Sequence, residues 1–272
     1  MSNVSVHPAA AAGFTSSHTD QYERGRPEHS LESVRVLLDK VKFPGSQEQC
    51  AVLELGAGTG KFTRSLQTAL KTAKTKIIAS EPLDGMRERL IATVDEDIDV
   101  LACAAENIPL ADETVDLVIA AQAFHWFAND VALQEIHRVL KPDGHLALIW
   151  NNRDTEIAWI AELDKIFDSY YGKDVPRQQT MKWKEMLDAF NGFDALKSVV
   201  LRNTHQTGPL QMVLDRILSV SVIASQSEEE KRIVADKVAS LLESHPDTKG
   251  LTTYTLSYHT DIYWCKKTAI VT

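Results

Sequence analysis

The chain has 272 residues, 44% of them apolar, enough to bury a substantial core without disulfide or metal staples. Its 29 basic residues are scattered and outnumbered by 38 acidic ones, so the net charge is −9; a phosphate-tracking nucleic-acid binder shows the reverse balance, and a small-molecule partner is expected instead. No uninterrupted apolar run exceeds Val100 to Ala105, and Cys50, Cys103 and Cys265 form no CxxC pair. Stable membrane insertion, an export signal, a disulfide framework and a metal cluster are therefore not expected, and a cytoplasmic location is.

In chain order, the first dozen residues, with Ala9 to Ala12, read as disordered, and Phe14 to Ser30 as a polar arm holding Tyr22, Arg24, Arg26 and Pro27. Leu31, Val34, Leu37, Leu38 and Val41 share one helical face. Val52 to Leu55, Lys76 to Ser80, Asp99 to Ala102, Val115 to Ala120 and His145 to Trp150 read as strands, nearly all apolar, as strands buried on both faces are. The helical segments between them, Lys61 to Lys71, Gly85 to Val94 and Val131 to Leu140, make successive βαβ crossovers. Beyond Trp150, helices are expected around Ile157 to Phe167, at Lys182 to Phe190, Leu210 to Ala224 and Glu228 to Ser244. Strands are expected at Leu196 to Thr204 and, as one long or two short, at Thr252 to Lys266. The fold class is α/β, a doubly wound Rossmann-like sheet completed by the last two strands, with helices inserted between them.

The chemistry concentrates where the first strand turns into the first crossover helix, at Glu54-Leu55-Gly56-Ala57-Gly58-Thr59-Gly60. Alternating glycines permit a sharp turn and let a ligand approach main-chain N–H groups. The spacing is GxGxG, neither the GxGxxG of dinucleotide enzymes nor a P-loop, and Glu54 suits a positively charged ligand better than a pyrophosphate. Glu81, at the end of the second strand, stands where a carboxylate accepts both ribose hydroxyls of an adenosine. Ala105-Glu106 follows the third strand, where an adenine ring could offer its amino group to the acid.

These motifs resemble those of the class I S-adenosylmethionine-dependent methyltransferases, from about Phe14 to Trp150 and more weakly to the end. Tyr22, Arg26 and Pro27, with Ala121-Gln122-Ala123-Phe124-His125-Trp126-Phe127 and Trp150-Asn151-Asn152-Arg153, are similar to the trans-aconitate methyltransferase-like subgroup of the type 11 relatives. The resemblance implies a seven-stranded, mostly parallel sheet and S-adenosyl-L-methionine as cofactor, with S-adenosyl-L-homocysteine as product. Glu54, Gly56, Ala57, Gly58 and Gly60 would hold its methionine end, Glu81 the ribose, and Pro82, Met86, Ala105 and Glu106 the adenine. Gln122 would lie near the sulfonium, and Tyr22 and Arg26 would belong to an N-terminal lid. Residues 1–30 are read as that flexible arm, and 31–272 as one domain: a cofactor-binding half, 31–150, then sheet completion and a helical cap, 151–272.

A sulfonium methyl is already activated, so alignment and exclusion of water carry most of the catalysis, and a carboxylate acceptor needs no base. His125, among Phe124, Trp126 and Phe127, could be a base, a donor that positions the acceptor, or a backbone-satisfied ring. With His125, the acceptor site would include Trp126, Asn151 and Arg153, the last suited to a carboxylate or to an ordinary ion pair. An O- or N-nucleophile, possibly a carboxylate, is the expected acceptor; its identity and the oligomeric state stay open. The rivals are a nicotinamide oxidoreductase, disfavoured by GxGxG and Glu54, a non-catalytic cofactor-binding protein, and a quinone- or sterol-type C-methyltransferase, for which no basic amphipathic helix speaks.

Overall fold

Seven runs rich in β-formers pair into one sheet: β1 (Cys50–Leu55), β2 (Thr75–Ser80), β3 (Asp99–Leu101), β4 (Val115–Ala121), β5 (Leu140–Arg153), β6 (Lys197–Gly208) and β7 (Tyr254–Lys266). The computed structural model describes residues 6–8, 11, 19–44, 50–71, 73–172 and 174–270, so the disorder expected at the N-terminus falls mostly outside the described residues. The strand order is β3-β2-β1-β4-β5-β7-β6. β1 to β5 run parallel, and β7 is antiparallel to both β5 and β6.

Alternate residues of the central strands enter opposite cores, which is why these strands are apolar almost without interruption. Val52, Ala79, Leu117, Ile119 and Ile149 pack on one face against α2 (Leu31–Lys40) and α3 (Lys61–Leu70). Leu53, Ile78, Val118, Leu148 and Trp150 pack on the other, against α5 (Asp130–Val139) and α7 (Lys182–Ala189). Helical periodicity places these four helices, and two of them start on local side-chain caps. Ser30 accepts from the Ser33 N–H at 3.1 Å to start α2, and Asn129 from the Ala132 N–H at 3.0 Å to start α5.

Two strands run longer than their apolar patterns suggest. β5 begins at Leu140, because the Lys141-Pro142-Asp143-Gly144 turn is absorbed as an irregularity opposite Val115 and Leu117. β6 continues past a register shift to Gly208, and β7 is a single strand. The far halves of β6 and β7 pair only with each other beyond the end of β5. This two-stranded wing carries a third core made with α6 (Ala158–Asp168), α8 (Leu210–Leu218), α9 (Ser221–Ala224) and α10 (Glu228–Ser244).

The strand order reverses between β1 and β4, the switch point at which doubly wound sheets open a crevice beyond their carboxyl ends. Two elements cover it. One is α8 on the wing; the other is the arm helix α1 (Thr19–Gly25). They meet backbone to backbone: a Cβ on Gly25 would stand 2.2 Å from the Asp215 carbonyl oxygen. Gln206 donates to the Gly25 carbonyl at 3.2 Å, and Arg26 to that of Ser219 at 3.1 Å. Among the described residues no helix is long and apolar enough to cross a membrane.

Candidate active site

The crevice holds three adjoining chambers, with Tyr22 and Gln122 lining all of them. Gln122 sits at their junction with φ +60°, a left-handed conformation uncommon outside glycine, and its amide donates to the Asn151 carbonyl at 3.3 Å. Burial pushes the pKa of the Tyr22 hydroxyl up.

The first chamber encloses about 790 Å³ and lies over the ends of β1 to β4. Of the residues the motifs single out, Gly56, Gly58, Glu81, Pro82, Met86, Ala105, Glu106 and Gln122 line it, with Leu83, Cys103, Trp126 and Phe127 among the others. Gly56 has φ +70°, and a Cβ there would come within 2.8 Å of the Ala123 Cβ, so both backbone and space demand glycine. The Glu81 carboxylate accepts from the Gly58 and Leu83 N–H groups, each at 2.9 Å. This holds it at the chamber wall with lone pairs left for two hydroxyls. Glu106 is held by the Asn129 amide at 2.9 Å. Gly60 departs from expectation: it lines no chamber. Its φ of +85° starts α3, and a Cβ would meet Leu90 Cδ1 at 2.8 Å, so its role is the turn and the close packing of α4 (Asp84–Thr93).

The second chamber, over β1 and α3, is lined by Tyr22, Arg26, Glu54, Ala57, Lys61, Asn151 and Arg216, among others. Glu54 is 1% exposed and accepts from the Thr63 hydroxyl at 2.7 Å; burial drives its pKa up to about 7, against the opposing pull of that hydrogen bond. A buried carboxyl facing three cationic side chains suits a ligand carrying both signs. Glu23 of α1 clasps the turn below, accepting from the Thr59 hydroxyl at 2.6 Å and pairing with Arg64 and, at 3.8 Å, with Lys61.

The third chamber, of about 670 Å³, lies between β5, the cap and the arm. His125, Trp126, Asn151 and Arg153, expected near the acceptor, all line it. His125 Nδ1 accepts from the indole N–H of Trp150 at 3.3 Å. An indole only donates, so the ring proton is on Nε2. Burial, aided by the charge of Arg26, lowers its pKa to about 3. His125 is thus a neutral N–H donor and not a base near neutral pH, and it is satisfied by a side chain where backbone was the alternative. Asn151 bonds at both ends of its amide, donating to the Glu28 carbonyl at 3.3 Å and accepting from Thr260 at 2.7 Å, which ties the arm to β5 and β7. Arg153 is paired with Asp164 and lies 4.9 Å over the Phe167 ring, so the ion-pair alternative describes it.

The residues missed by sequence reasoning are Arg177 and Arg216. Arg177 stacks 3.9 Å from the Tyr171 ring and pairs with Asp168 at 2.9 Å. Arg216 is 4% exposed, and its Nε and Nη1 have no hydrogen-bond partner among the described residues. Burial, with repulsion from Arg26, pulls its pKa down to about 10, leaving it cationic at neutral pH. One signal was present: Arg216 stands on the apolar face of α8 with Val213 and Ile217, where a charge is out of place unless a partner is supplied.

Residues 53–148 match the family model described as a methyltransferase domain. The chain is 35% identical to an uncharacterized methyltransferase-like protein of Schizosaccharomyces pombe over 90% of this chain and 92% of the relative. It is 34% identical to an uncharacterized methyltransferase of Mycobacterium tuberculosis over 83% and 84% respectively. Among solved structures, a phosphoethanolamine N-methyltransferase of Haemonchus contortus in complex with S-adenosyl-L-methionine superimposes with a TM-score of 0.54 at 14% identity, over 96% of this chain and 59% of that one. That structure shares the fold. A glycine turn, a buried acid beside it, a carboxylate braced at the end of β2 and full-length relatives together establish that the chain belongs to the class I S-adenosylmethionine-dependent methyltransferase family.

Proposed function

We propose that the protein moves the methyl group of S-adenosyl-L-methionine to a carboxylate oxygen of a small organic acid. The observation that carries this is Arg216: a buried guanidinium with two open nitrogens, in a chamber that Arg26, Arg153 and Arg177 also line and that, among the described residues, no carboxylate side chain lines. An uncompensated buried charge is expensive, and an anionic ligand would supply the missing partner through the guanidinium fork. The resemblance of residues 121–127 and 150–153 to the trans-aconitate-type enzymes points the same way.

In this reading the residues divide the work. Glu81, Pro82, Met86, Ala105 and Glu106 bind the adenosine, and Glu54, Ala57 and the Gly56 and Gly58 backbone the methionine end. Residues 19–30 act as the lid that excludes water, held shut by Glu23. Gln122 and Tyr22 line the passage between cofactor and acceptor, and Arg216 anchors the acid. The cofactor supplies an electrophilic methyl: an oxygen lone pair forms the new O–C bond as the C–S bond breaks, and its electron pair returns to sulfur. No proton moves in that step, so His125 has nothing to abstract; its Nε2–H orients the carboxylate.

The test is a labelled-methyl screen of small carboxylic acids, phenols and heteroaromatic amines. The expected product is a base-labile methyl ester, and Arg216→Gln is expected to raise the acid's KM at least tenfold, about 1.4 kcal/mol. Transfer to phenols or amines with none to acids would overturn the proposal.

A further inference from the structure

The second chamber contains a residue that the motifs do not account for. His29 precedes the cap of α2, is 5% exposed, and stands edge-on to Phe62 with ring centroids 5.3 Å apart. Its Nδ1 is buried with no hydrogen-bond partner among the described residues. Its backbone carbonyl, by contrast, accepts from Ser65 at 3.2 Å, so the position of the residue is fixed while its ring is left unsatisfied. Buried polar atoms are seldom left so, and the exceptions ask for a ligand or a strain account. No strained backbone is recorded at His29.

The same chamber offers two kinds of partner. Arg26, Lys61 and Arg216 are cationic, and the Nε atoms of Arg26 and Arg216 are also buried without a hydrogen-bond partner among the described residues. Opposite in character, Glu54 is the carboxyl among the lining residues, and its Oε2 already takes the Thr63 hydroxyl. A ligand entering here with a carboxylate finds several donors. An ammonium has three N–H donors to place and finds one partly engaged acid. A neutral imidazole nitrogen supplies the second acceptor that such a group requires. Burial lowers the His29 pKa to about 3, so the ring is neutral at physiological pH and does not add a fourth cation to the chamber.

We infer that His29 is a cofactor-binding residue: its Nδ1, together with Glu54, receives the α-ammonium of the cofactor's methionine end, while Arg26 and Lys61 receive the α-carboxylate. His29 thereby helps to select a ligand carrying an amino-acid end over a bare thioether of adenosine. The inference depends on the cofactor and not on what is methylated, so it stands or falls separately from the choice of acceptor.

Calorimetric titration of the full-length protein, without acceptor, tests it. Three ligands divide the contacts: S-adenosyl-L-homocysteine has both charged groups, decarboxylated S-adenosylmethionine keeps only the amino group, and 5′-methylthioadenosine has neither. His29→Phe keeps the ring against Phe62 and removes the nitrogen. It is expected to weaken the first two ligands about tenfold and leave the third unchanged, which also shows that the chamber is intact. His29→Asn, which restores an acceptor oxygen, is expected to recover at least part of the loss, and it serves as the readout should the phenylalanine variant not fold. Loss confined to S-adenosyl-L-homocysteine would put His29 on the carboxylate. Equal weakening of all three ligands would make it a packing residue, and unchanged binding in both variants would leave it with no role; each of these overturns the inference.

Discussion

Replacing Glu54 by Gln tests the electrostatics at the foot of the glycine turn. Glu54 is 1% exposed, and its pKa is about 7 against an ordinary 4.5. The native protein therefore holds this proton more tightly than the unfolded chain does. Its contribution to stability is fully present below pH 4.5 and is lost as the pH rises toward 7. At roughly 1.4 kcal/mol per pH unit, the gap corresponds to about 3 kcal/mol at most. Gln keeps an oxygen for the Thr63 hydroxyl and cannot ionise. Urea unfolding of the ligand-free protein at pH 5 and pH 8 should show the wild type losing roughly 2–3 kcal/mol more than Glu54→Gln across that interval. Glu81, whose pKa burial also raises, is present in both proteins, so its own burial is common to them and only its repulsion with Glu54 enters the difference. Parallel losses in the two proteins would refute the account and mean that Glu54 is ionised and solvated in the native state.

Two further predictions concern groups that act through others. Trp150→Phe removes the N–H that fixes the His125 ring at 3.3 Å. Nitrogen-15 spectra should show the Nε2–H tautomer alone in the wild type and a mixture in the variant, with kcat reduced; an Nδ1–H ring in the wild type would rule the assignment out. Glu23→Ala releases the arm from Thr59, Lys61 and Arg64. Charge-assisted, partly buried bonds of this kind are worth about 1–3 kcal/mol, so S-adenosyl-L-homocysteine should dissociate about tenfold faster in stopped flow, and an unchanged rate would mean that the arm is no lid.

The cofactor half was legible because its signals are local. The apolar strands, the glycine turn and the acids at strand ends each lie within a few residues of the chain, and their spacing carries over directly into geometry. Gly60 shows the limit of that approach: the motif contains it, but its neighbours are Leu90 and Thr93 of α4, and only the packing reveals that. The acceptor half depends on contacts between distant elements. Asp164, beside Arg153, decides between the two roles its sequence position leaves open, and the His125 tautomer is set by a tryptophan 25 residues away. Arg216 was visible only as a charge in an apolar stripe, and His29 as a residue ahead of a cap.

What the amino-acid sequence determined by itself, then, is the class of fold and the glycine turn and strand-end acids on which the proposed cofactor site rests, since both follow from backbone periodicity and from short-range turns. What only the tertiary structure decided is the character of the third chamber, the one proposed to take the acceptor. There the wing of β6 and β7 brings α8 against the arm at Gly25, so that residues nearly 200 positions apart share one enclosure. In that enclosure exclusion of water turns a surface-type residue into an unpaired charge, and whether a side chain is spent or open depends on neighbours that no local pattern encodes.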